Sequence, residues 1–121
     1  MDQRFRPTDR LLTKAAFGGV FRKSVRSADS LFTVLARPQR GQSPRLGMAV
    51  SVKSAGGAVD RNRVKRLIRE KFRVDRSRLP EADFVVMSRP GISAASNARI
   101  RESLEGHWKR IAKRCNRSPS A

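Results

Sequence analysis

The sequence predicts an α+β fold, a small two-layer sandwich in the order helix, strand, strand, helix, strand, helix. Three observations predict it. Apolar residues recur at helical spacing in three separated stretches, whereas three other stretches alternate or run continuously apolar over strand length. Segments rich in Pro, Gly and Ser punctuate the joins, and no stretch repeats another. The chain has 121 residues, 38% of them hydrophobic. That length suits a single domain spanning 1–121 that buries its core without disulfides, with an ordered part from about 8 to about 115.

Each element has a local reason. Thr8 or Asp9, just after Pro7, caps a first helix through Leu12, Ala16 and Val20 toward Arg22. Leu12, Ala16 and Val20 form its core stripe. Phe17 and Phe21 share another side with Arg10, Thr13 and Lys14, and Gly18-Gly19 weaken the last turn by about 1 kcal/mol each. Leu31 to Arg37 reads as a strand stopped by Pro38, and the polar tract Gln39–Pro44 leads to a second, antiparallel strand from Leu46 to Lys53. There Leu46, Met48, Val50 and Val52 point to the core, and Gly47, Ala49, Ser51 and Lys53 point away. Ser54-Ala55-Gly56-Gly57 turns into a second helix that Asp60 can cap. Asp83 to Ser88 is apolar enough for a central strand covered on both faces. A last helix from about Asn97 carries Ile100, Leu104, Trp108, Ile111 and Cys115 on one stripe, and the polar tail Asn116–Ala121 is expected to fray.

Charge narrows the partner. Twenty-eight Lys and Arg stand against ten Asp and Glu, a net +18 with a pI near 11.9. A compact chain with that excess repels itself, so a polyanion should offset it. Nucleic acid is the first candidate and an anionic membrane the second. No stretch approaches the roughly 20 apolar residues of a membrane span, and no apolar segment follows the basic N-terminus as a secretory signal requires. The lone Cys115 has no disulfide partner in the chain, which fits a reducing, cytoplasmic setting.

Catalytic groups are sparse. The ten carboxylates are scattered, whereas two-metal hydrolysis needs several converging acids. His107 stands alone beside the core stripe of the last helix and reads as a packing residue. Cys115 reads as a small core residue. Protein-borne catalysis is therefore not expected.

The densest feature runs from Arg61 to Arg73. At about 100° per residue, Val64, Leu67, Ile68 and Phe72 fall on one side. Asn62, Lys65, Arg66, Arg69 and Arg73 fall opposite, with Arg63 and Glu70 at the margin. A solvated face would mix signs at i,i+4, yet Glu70 is the only acid in these thirteen residues. Arg also outnumbers Lys, which favours forked recognition of phosphate oxygens. The Phe17/Phe21 pair beside Lys14 suits unpaired nucleotides, whose bases stack while their phosphates meet cations. Ser51 and Lys53, turned from the second strand's large residues, can line the same cleft. The plainer reading of two Phe at helical spacing is core.

The run from Gly57 to Glu70, with Arg61-Asn62-Arg63-x-Lys65-Arg66-x-x-Arg69 inside it, resembles the signature of the bacterial ribonuclease P protein component family. The likeness extends over Arg10-Leu11, Phe17, Val20 and Phe21, the Leu46–Ser51 strand, Lys53, and Asp83–Val86. It implies an accessory subunit for a catalytic RNA that removes the 5′ leader of precursor tRNA, with Mg²⁺ held by the RNA and no obligate protein partner. It implies that Arg61, Asn62, Arg63, Lys65, Arg66 and Arg69, continued by Arg73, lie against the RNA. It implies a leader cleft between the first helix and the sheet, with Phe17, Phe21 and Lys53 on its walls. It further implies a left-handed strand–helix–strand crossover, against the right-handed form found in about 98% of such units. Two positions depart from the family pattern. Leu35 stands where relatives often have Tyr, making leader contacts there apolar, and Asp60 puts an acid beside the basic run. A general RNA chaperone or ribosomal protein, and a protein-only nuclease, are the alternatives.

Overall fold

Four strands form one sheet in the order β1-β2-β4-β3: β1 (Val25–Ala28), β2 (Phe32–Pro38), β3 (Arg45–Ala49) and β4 (Ala82–Ser88). This is a computed structural model, and it describes residues 24–39 and 41–117. The expected first helix, with Lys14, Phe17 and Phe21, lies outside them. The helices are α1 (Val52–Ala55), α2 (Ala58–Asp75) and α3 (Asn97–Arg117).

β4 pairs antiparallel with β2 and parallel with β3. The α+β class stands, but the two strands expected to pair with each other do not touch as neighbours. β4 inserts between them because its apolar run, Phe84-Val85-Val86, is buried throughout and can be satisfied only by a neighbour on each edge. β1 was not anticipated. Its second core-facing residue is Ser27, 2% exposed, so it lacks the apolar alternation that marks a strand.

β3 also ends earlier than its sequence suggests. Ser51 accepts a hydrogen bond from the Ser54 amide at 3.2 Å and so caps the short helix α1. A Ser side chain that caps its own backbone competes with strand pairing. As a result Val52, expected in the core, is 60% exposed, while Leu46 and Val50 are buried. Asp60 does not cap α2: Gly57 occupies that position without a side-chain bond, and Asp60 lies in the first turn, where an acid complements the helix dipole. At the far end α3 extends to Arg117.

The helices cover one sheet face. Val64, Leu67, Ile68 and Phe72 of α2 join Ile100, Leu104, Trp108 and Ile111 of α3 over Phe32, Val34, Ala36, Leu46, Phe84 and Val86. The centre is aromatic: Phe72, Phe84 and Trp108 meet edge to face with centroids 5.6–6.4 Å apart. Such pairs contribute about 0.5–1.5 kcal/mol beyond their burial. Cys115 packs against this core, and burial pushes its thiol up. On the opposite sheet face Leu35, Val85 and Gly47 lie side by side in register.

A polar knot joins α3 to the β1–β2 corner. His107, fully buried, accepts at Nδ1 from Arg110 at 3.1 Å and from Ser27 Oγ at 2.7 Å. Arg110 Nε in turn donates to Ser27 Oγ at 2.8 Å. Because guanidinium only donates, the ring proton belongs on Nε2, which lies 3.2 Å from Asp29 Oδ1. Burial outweighs the Asp29 charge and lowers the His107 pKa. Burial also pushes the Asp29 carboxyl up, but hydrogen bonds from Ser103 and from the Phe32 and Leu31 amides bring it to about 2.

Both shifts fix the direction of a pH response. A base with a depressed pKa in the fold contributes stability above its unfolded value, near 6.5, and that contribution is lost as pH falls through this value. Asp29 behaves likewise below about 4, losing its contribution toward pH 2. Chemical denaturation at a series of pH values should show stability declining below about 6.5. His107→Gln should flatten the decline that begins near pH 6.5 and continues toward the lower folded pKa, and an unchanged slope would detach it from His107.

Candidate nucleic-acid interface

Helix α2 is amphipathic as its spacing predicts, and its buried side fixes the orientation of its charged side. Asn62 and Arg66 are exposed, and Lys65, Arg69 and Arg73 are half-buried along the same face. Among the described residues none of these five makes a side-chain hydrogen bond or ion pair. Arg61 is half-buried, with its Nε buried and unpartnered among the described residues.

The other basic groups of α2 act as anchors. Arg63 donates to Asn97 Oδ1 at 2.6 Å and to the Ser93 carbonyl at 3.0 Å. Lys71 pairs with Asp75 at 2.9 Å and with Glu105 at 2.7 Å, and Arg78 joins the same two acids. Burial pushes the Asp75 carboxyl up, but the bonds from Lys71 and Arg78 outweigh it and hold it below the usual carboxylate range. Arg63, expected on the contact face, thus ties α2 to the start of α3 while keeping further guanidinium donors. Spacing announces only the Lys71–Asp75 pair, four residues apart; the partners of Arg63 and the second partner of Lys71 lie 30 and 34 residues away in sequence.

The cleft residues that are described lie on two elements. Leu35 sits mid-β2 on the face opposite the helices and is 7% exposed. Ser51 and Lys53 are not strand residues. Ser51 caps α1, its hydroxyl 3.0 Å from Ser54 Oγ, and Lys53 projects exposed from α1 itself. Lys14, Phe17 and Phe21 lie outside the described residues.

A further group on the Leu35 face was not anticipated. Arg45 grips the buried Asp83 through two bonds of 2.7 Å, and Arg37 stands opposite Asp83 in register. The hydrogen bonds that Arg45 donates to Asp83 raise the Arg45 pKa. No local pattern announces this pair, which is 38 residues apart.

A helix with a row of cations unpaired among the described residues, fixed to an α+β sandwich, marks a basic protein of the polyanion-binding type. The family model for ribonuclease P matches residues 5–112. The ribonuclease P protein component of Methylococcus capsulatus is 44% identical over 116 residues, covering 96% of this chain and 91% of its own. That of Thioalkalivibrio sulfidiphilus is 45% identical, covering 95% and 96%. Among solved structures, the ribonuclease P protein of Staphylococcus aureus superposes with a TM-score of 0.77 at 35% identity, over 87% of this chain and 95% of that one. The Thermotoga maritima protein gives 0.74 at 33%, over 84% and 96%. The chain belongs to the ribonuclease P protein component family, the protein part of a tRNA-processing ribonucleoprotein endoribonuclease.

Proposed function

We propose that α2 docks the catalytic RNA of ribonuclease P, with Lys65, Arg66, Arg69 and Arg73 on phosphates and Arg61, Asn62 and Arg63 completing the contact. The observation that carries this reading is the cationic row, unpaired among the described residues, on a helix whose other face is locked in the core. Like charges at that density destabilise the free protein, and a phosphate backbone neutralises them. The 5′ leader of precursor tRNA occupies a cleft formed by Phe17, Phe21, Lys14, Leu35, Ser51 and Lys53. Bases stack on the two Phe, and leader phosphates meet the two Lys.

The chain's own chemistry is binding and orientation. Among the described residues no group of three or more His, Cys, Asp or Glu could hold a metal ion. Asp75 and Asp83 are engaged by Lys71, Arg78 and Arg45. We assign Mg²⁺ to the RNA, where, when bound, it would supply a hydroxide nucleophile and stabilise the leaving oxygen. The protein's cations screen the RNA's phosphates and so reduce its demand for divalent ions. Cytoplasmic residence follows from the same role; among the described residues no helix is long and apolar enough to cross a membrane.

One experiment tests the whole reading. Adding the protein to a bacterial ribonuclease P RNA at low Mg²⁺ should restore cleavage of precursor tRNA, and no stimulation would overturn the proposal. In the same assay Phe17→Ala with Phe21→Ala should lower the advantage of a long leader by about 10-fold or more, from the ~1–3 kcal/mol that each stacked base contributes. Assembly should be unaffected. Equal loss on a leaderless substrate would return both residues to the core.

A further inference from the structure

Helix α3 carries a second concentration of cations that the docking helix does not account for. Between Asn97 and Arg117 stand seven Arg or Lys and only two Glu. One of those acids, Glu105, faces α2 and pairs with Lys71. At about 100° per residue, Arg99, Arg110, Lys113 and Arg114 cluster in a sector of about 100° turned away from α2. They extend over about 22 Å of helix at 1.5 Å per residue, and all four are exposed.

Several of these groups are held in place, which a merely solvated charge is not. Arg110 is bound to Ser27 and His107. Gly106 clears its path, since a Cβ there would lie 3.3 Å from its guanidinium. A Gly inside a helix costs about 1 kcal/mol relative to Ala, and here that cost accompanies an ordered cation. Arg114 donates to the Arg26 carbonyl, and Arg89 donates to the Asp29 carbonyl at 3.2 Å. Between the β1–β2 corner and α3 lies a surface cavity of about 480 Å³, flanked by Arg99 and Arg110 and bordered by the hydroxyls of Ser30 and Ser96, with the carboxylates of Asp29 and Glu102 also on its wall.

We propose that this edge, formed by α3 and the β1–β2 corner, is a second phosphate-binding surface that holds another segment of the same catalytic RNA. The inference rests on the reading that α2 docks that RNA. Because the α3 sector is turned away from α2, a folded RNA suits both cationic faces better than a single straight strand. Once the RNA is anchored on α2, the second contact is intramolecular, and a modest set of phosphate contacts suffices.

The test uses the full chain with a bacterial ribonuclease P RNA, comparing the wild type with Arg99→Gln/Lys113→Gln/Arg114→Gln, which spares the buried knot around His107. Wild-type protein should protect two separated RNA segments from hydroxyl-radical cleavage. The triple variant should lose one of them, bind about 10-fold more weakly at moderate salt, and show a log–log salt slope shallower by about 2. Arg66→Glu/Arg69→Glu should lose the other segment. A triple variant with unchanged slope and both segments protected would overturn the proposal, as would a lost contact that maps to precursor tRNA. Failure of wild-type protein to protect any segment would instead remove the α2 docking reading itself.

Discussion

Reversing Arg66 and Arg69 to Glu should weaken binding to the catalytic RNA by about 10²–10⁴-fold. Each guanidinium on a phosphate forms hydrogen bonds between charged groups, and those contribute about 1.5–3 kcal/mol each. Two such losses amount to about 3–6 kcal/mol, at 1.4 kcal/mol per decade. Each phosphate contact also releases counterions, so the salt dependence should flatten by about 1.5–2 in its log–log slope. The fold should tolerate the change. Both side chains lie on the face of α2 away from the core and have no partner among the described residues, and substitutions of that kind shift stability by roughly 0.5 kcal/mol. Filter binding at three or more salt concentrations, beside a thermal melt, separates the outcomes. Affinity within about threefold of wild type at an unchanged slope would mean that α2 is not the docking surface.

Phe72→Ala should act through the opposite face of the same helix. Phe72 is fully buried and stacks edgewise on Phe84 and Trp108. Truncating a core Phe costs about 3–5 kcal/mol through lost transfer energy and the cavity left behind. A domain of this size has about 5–15 kcal/mol to lose, so the melting temperature should fall by about 10–25 °C. Val74→Ala, two residues on and 52% exposed, serves as the contrast and should change stability by about 0.5 kcal/mol or less. A Phe72→Ala loss under about 1 kcal/mol would place the centre of the core elsewhere.

Helical periodicity made α2 and α3 readable from the sequence because a buried stripe must recur every three to four residues. β4 was readable because a strand covered on both faces cannot hide polar residues. What stayed illegible depends on partners distant in sequence. β1 hides its place in the core because Ser27 is satisfied by His107 and Arg110, 80 and 83 residues away. The insertion of β4 between β2 and β3 is a pairing choice that no local pattern encodes. The end of β3 was misplaced because Ser51 caps a helix where alternation alone continued the strand. For the interface, amphipathicity located the cations but not their division of labour: Arg63 and Lys71 are bolts, whereas Arg66 and Arg69 have no side-chain partner among the described residues.

Those bolts have a consequence for the thermodynamics of assembly. Arg63 fastens one end of α2 to the start of α3, and Lys71 fastens the other to Glu105. Arginine-rich segments that fold only on meeting RNA carry an ordering entropy and a large negative heat-capacity change into the binding step. Here the helix is already closed on its core, so docking through it, as proposed, should carry neither signature. Association through α2 would then be a rigid-body event, governed by ion release and comparatively indifferent to temperature.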